Sequence, residues 1–164
     1  MHDMELHRPR RLPRWWWVPV GVLGLVLLGW WMTHPQGLPT DGDGATTTTK
    51  AGRPVFVGLT SGDEAQRSLT IRGVQLGDGA KGATVEALVC RGGRITVTAN
   101  ASPFCEELVD ADGAELDLPG DQLLVSVTGD EATRVSLDDL EVSFREGLQW
   151  GSHGLPDVTV EVAS

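Results

Sequence analysis

The sequence predicts a mainly β protein: an antiparallel β-sandwich, immunoglobulin-like or fibronectin-like, preceded by one transmembrane helix. Three observations carry that expectation. From residue 54 onward, apolar residues recur in short runs of period two between Gly-, Asp- and Pro-rich turns, with no helical period. Upstream, no charge occurs from Trp15 to Met32, and five of the six Trp residues, at 15, 16, 17, 30 and 31, bracket this stretch. The only two cysteines, Cys90 and Cys105, both fall in the β-rich part, where an even count suits an oxidising compartment and a disulfide. A small Greek-key barrel is the competing arrangement.

Residues 1–14 form a basic stub. Through residue 34, Arg8, Arg10, Arg11 and Arg14 outweigh Asp3 and Glu5 to leave +2, whereas the rest of the chain sums to −12, so the overall −10 describes neither part. The positive-inside tendency keeps the stub in the cytoplasm and places the acidic part outside the cell membrane, a single-pass topology. Residues 15–33 are the expected span. Trp15 to Trp31 covers about 25 Å at ~1.5 Å per residue, the lower limit for a bilayer. Pro19 falls in the first turn of the apolar run, where a missing N–H does least harm. The following THPQGLPTDGDG lacks a small-residue cleavage pattern, and bulky Trp30, Trp31 and Met32 precede it, so an uncleaved anchor is expected rather than a secretory signal.

Residues 34–53, rich in Pro, Gly, Asp and Thr, read as a flexible linker with an average reach of about 25 Å. Residues 54–164 form the extracytoplasmic domain. Strands are expected at 55–60, 68–76, 83–90, 94–99, 114–118, 122–129, 133–144 and 157–163. Two of these change parity midway. Leu69 and Ile71 give way to Val74 and Leu76 across Gly73, which a β-bulge would reconcile. Val135 and Leu137 give way to Leu140, Val142 and Phe144 across Asp138-Asp139, which implies a bulge or a corner between two strands. Arg91-Gly92-Gly93-Arg94 reads as a tight hairpin.

An acidic exterior argues against nucleic acid, since phosphate binding requires a basic footprint. The same charge disfavours close approach to anionic lipid and favours basic partners or cations. His153 is the only His in the domain. Gly151-Ser152-His153-Gly154 with Asp157 holds the letters of a triad but not the G-x-S-x-G elbow, so a polar loop is expected and no catalytic residue is assigned. Asp110, Asp112, Glu115 and Asp117 lie within eight positions and supply hard oxygen ligands, making calcium the one candidate cofactor. Their spacing does not fit an EF-hand, and a solvated acidic hairpin explains them as well. Trp150, the only Trp beyond the apolar stretch, is either a binding anchor, with His153 beside it, or a plug closing one end of the sandwich; scarcity of other aromatics favours the plug.

The passage VSLDDLEVSFREGLQWGSHG, residues 135–154, resembles a strand-and-loop segment of uncharacterised single-pass membrane-anchored β-sandwich proteins of high-GC bacterial envelopes. The resemblance implies an envelope setting and no particular chemistry. The expected function is therefore a non-enzymatic, membrane-anchored interaction module of the cell envelope. Its partner would be an envelope protein or glycan, met through loops or a sheet edge. A calcium-stabilised adhesion domain and an envelope hydrolase are the alternatives.

Overall fold

A computed structural model describes residues 15, 17–40, 44–61, 66–77 and 82–164. Arg8, Arg10, Arg11, Arg14 and Trp16 lie outside the described residues. Half of the described residues are in strands, and one short helix precedes them. In chain order the elements are α1 (Trp17–Met32), β1 (Ala45–Lys50), β2 (Val55–Gly58), β3 (Arg67–Gln75), β4 (Ala83–Arg91), β5 (Val97–Thr98), β6 (Glu107–Asp110), β7 (Glu115–Leu118), β8 (Gln122–Gly129), β9 (Thr133–Leu137), β10 (Glu141–Glu146), β11 (Gln149–Gly154) and β12 (Val158–Ala163).

The strands make three sheets, ordered β1-β12-β9, β11-β10-β3-β7 and β5-β2-β8-β4-β6. Every pairing is antiparallel except that of β1 with β12. Inward residues of all three sheets bury one continuous apolar core, including Val57, Ile71, Leu116, Val125, Val135, Phe144 and Val160. This layering is consistent with a sandwich.

Strand β8 reads as a nearly unbroken apolar run because both of its faces are covered. Leu123, Val125 and Val127 enter the main core, whereas Leu124 points to the other side and packs with Cys90, Ile95, Ala101 and Cys105. That second cluster exists because Cys90 and Cys105 are bonded, their Cα atoms 5.2 Å apart, folding the intervening loop over the sheet. Closing a loop of this size stabilises the fold by about 3 kcal/mol in the chain-entropy model. The Arg91–Arg94 stretch is not a hairpin: β4 pairs with β8 and β6, and β5 crosses to β2. Asp121 organises the turn instead, accepting from the Gly92 N–H at 3.1 Å and pairing with Arg91 at 3.2 Å.

Of the two parity changes, the first is a bulge. Ser143 opposes Gly73 and Phe144 opposes Ile71, so Arg72 is the extra residue on β3. The second is a corner: β9 and β10 belong to different sheets, and Asp139 turns the chain with φ 57°.

Helix α1 has 16 residues, about 24 Å at ~1.5 Å per residue. Among the described residues no helix is long and apolar enough to cross a membrane. Thr33 ends the helix, its hydroxyl donating to the carbonyls of Gly29 and Trp30, and the His34 ring stacks on Trp30 at 4.7 Å.

Within the expected linker, the described residues 34–40 and 44–53 are not the free tether expected from composition. Ala45–Lys50 forms β1, in register with all of β12, because β-branched Thr46 to Thr49 suit an extended backbone that can borrow an open sheet edge. Ahead of it, Pro35 to Pro39 lies against the domain. The Pro35 ring fills the space where a Gly151 Cβ would stand, 2.2 Å from its Cγ, and Gly37 passes so close to the His153 ring that a Cβ would approach within 2.9 Å. Leu38 is buried in the main core, and the Pro39 carbonyl accepts from the Ser61 N–H. Arg67 locks the segment. Its guanidinium forms a two-pronged pair with Glu146 and donates to the carbonyls of Gln36 and Gly37, each at 3.0 Å.

Arg67→Ala removes all four bonds and leaves Glu146, only 25% exposed, without its partner. Charge-assisted bonds of this kind make the expected loss about 2–3 kcal/mol in urea unfolding. Hydrogen exchange within residues 36–39 rises in the same variant, while exchange in β4 and β8 follows only the global change.

Candidate functional site

Strand alternation decides which side chains share a surface on the sheet β11-β10-β3-β7. Val142 and Phe144 of β10 point inward, so Ser143 and Arg145 point outward. On β11 the register Phe144 to Gly151 and Arg145 to Trp150 puts Gly151 and His153 on the inner side and Trp150 and Ser152 on the outer. The connection between β10 and β11 is only Gly147-Leu148, with Gly147 at φ 57°, so Arg145 and Trp150 stand directly opposite near the tip.

Trp150 is therefore not a plug. It is 53% exposed, and two guanidinium groups flank its ring, Arg145 at 5.2 Å and Arg72 at 5.7 Å from the centroid. Arg72 faces the ring because it alternates with buried Ile71 and so lies on the outer side of β3, as the extra residue of the bulge opposite Ser143 and Phe144. Arg145 is steadied by a 2.7 Å bond from its Nε to the Gly147 carbonyl. Among the described residues, neither Arg72 nor Arg145 has a carboxylate within ion-pair distance. Each cation–π contact at such exposure contributes about 0.5–1 kcal/mol. The chemical outcome is an indole face with fixed cationic forks beside it, suited to phosphate, carboxylate or sulfate groups.

The other sequence-derived candidates do not join this cluster. His153 lies on the inner side, half-buried beneath Gly37, so it and Trp150 occupy opposite faces of β11. Ser152 and His153, as neighbours on one strand, likewise point in opposite directions. Glu115 and Asp117 project outward from β7, whereas Asp110 ends β6 in another sheet, its carboxylate accepting from the Asp112 N–H at 2.9 Å. The acidic stretch is thus a connection between sheets and not a hairpin. Among the described residues no group of three or more His, Cys, Asp or Glu is placed to hold a metal ion.

Arg72 and Arg145 are what sequence reading missed. A signal for the second was present: Gly147-Leu148 as a two-residue connection would have paired Arg145 with Trp150. No known protein-family model matches the chain, and no curated protein matches it.

Because Trp150 contributes to a surface and not to packing, Trp150→Ala lowers stability by no more than about 1–2 kcal/mol, the two cation–π contacts. Phe144→Ala, on the opposite face of the sheet and 2% exposed, costs about 3–5 kcal/mol. Equal losses for the two variants in urea titrations would contradict this division of the sheet.

Proposed function

We propose that the protein is a non-enzymatic binding module, immunoglobulin-like or fibronectin-like in type, anchored in the cell membrane by α1 with its β domain outside. One observation carries the reading. No side chain of α1 is buried, and Val18, Val20, Val22, Leu23, Leu25, Val26, Leu27 and Leu28 are each more than half exposed. Leaving eight such side chains in water costs on the order of 10 kcal/mol, comparable to the whole stability of a domain, so this surface has an apolar occupant. Lipid suits it: the helix satisfies its own backbone, carries no charge, and places Trp residues at each end.

In the sequence the uncharged apolar stretch Trp15 to Met32 has 18 residues, a count that local thinning of the bilayer accommodates. The basic residues before it favour a cytoplasmic amino end. The disulfide agrees with an oxidising exterior. On the exterior domain the ligand-facing surface is the outer face around Trp150, and its ligand, on an envelope protein, glycan or lipid, presents anionic groups to Arg72 and Arg145.

The full chain expressed in bacterial cells stays with membranes through an alkaline carbonate wash, and Val22→Lys/Val26→Lys releases it. Extraction of the unaltered chain by carbonate contradicts the anchor.

A further inference from the structure

We infer that the tip of the β10–β11 hairpin is a second membrane contact, in which Arg72 and Arg145 bind phosphate headgroups of the leaflet that α1 enters. The inference rests on the anchoring role of α1 and names the ligand of the Trp150 face. Its basis is where the tip stands. Gln149, one residue from the tip, donates from Nε2 to the Trp31 carbonyl at 3.0 Å, so the hairpin sits against the carboxyl end of α1. In an anchored chain Trp30 and Trp31 lie at headgroup level, and the tip shares that level.

Its side chains match the location. Leu148 is 62% exposed at the turn and Trp150 53% exposed beside it, an apolar residue and an amphipathic ring with no packing role. Beside the ring the two guanidinium groups flank the indole and face no carboxylate partner among the described residues. An apolar tip followed by an aromatic ring with cations at its side suits the polarity profile of a bilayer surface. A soluble glycan or peptide would not require Leu148.

The −12 charge of the chain beyond residue 34 opposes an anionic surface as an average, but not at this place. Glu146, the acid nearest the tip among the described residues, is paired with Arg67. Glu115 and Asp117 share the outer face on β7, beside the β3 that carries Arg72 and two strand spacings from the β10 that carries Arg145. Among the described residues neither stands within ion-pair distance of either guanidinium.

The test uses the full chain in vesicles of phosphatidylcholine, with and without phosphatidylglycerol. A polarity-sensitive fluorophore is attached at Leu148→Cys or, outside the sheet that meets α1, at Glu131→Cys in the turn between β8 and β9. The expected result is a blue-shifted probe at 148, quenched by headgroup-level nitroxide lipid at least twofold more in the anionic vesicles, with an aqueous probe at 131. Arg72→Gln/Arg145→Gln removes that twofold gain. An aqueous probe at 148 in a chain that still resists carbonate overturns the second contact and leaves the anchor standing, as does a gain that survives loss of both arginines. Extraction of the chain by carbonate overturns the anchor itself.

Discussion

The guanidinium of Arg67 is the tie on which the arrangement depends. It holds Glu146 on one side and the carbonyls of Gln36 and Gly37 on the other, joining the last residue of β10 to the segment that leaves α1. Without it, Pro35 on Gly151 and Gly37 on His153 would rest on packing and on the flanking Gln149–Trp31 and Ser61–Pro39 bonds. With it, Leu38 enters the core and the helix end stays at the hairpin. A bond to an arginine at the first position of β3 thereby turns a helix followed by a domain into one connected body. The domain is set at the end of the helix and is not raised above it.

A second consequence runs through the same sheet. The bulge at Arg72 lets Ile71 and Val74 both face inward, which is a packing requirement. Arg72, outward by regular alternation from Ile71, meets the Trp150 ring on the other side of the strand and begins a cationic site there. The two-residue turn completes it by placing Arg145 opposite Trp150. Since Glu146 is already engaged by Arg67, the positive charge at the tip is not cancelled by its nearest described acid.

Much of the β organisation was legible in the sequence because period-two alternation survives in strands with one buried face, as in Val158, Val160 and Val162. The bulge beside Gly73 was legible from parity, whereas the parity change across Asp138-Asp139 left a bulge and a corner both open. Strand β1 was not, because Thr46 to Thr49 carry no apolar alternation and become a strand only through the open edge of β12. Strand β11 was hidden by its two glycines, Gly151 against Pro35 and Gly154 in open space, which have no side chain to betray a face. Trp150 stood out by type, but its environment depends on Arg72 and Arg145, which reach it through register and a bulge that composition does not encode. The acidic stretch misled in the opposite way, since Asp110 and Asp117 are close in sequence but stand in different sheets.

The central claim is that the domain is fixed to the end of α1 and does not swing on a linker. Distance measurement between spin labels at Thr33→Cys, at the end of the helix, and Ser152→Cys, on the exposed face of β11, tests it most directly. In the full chain in bilayers the account predicts a narrow distribution that broadens in Arg67→Ala. A broad distribution in the unaltered background, with the spread of a free tether averaging about 25 Å, would contradict it.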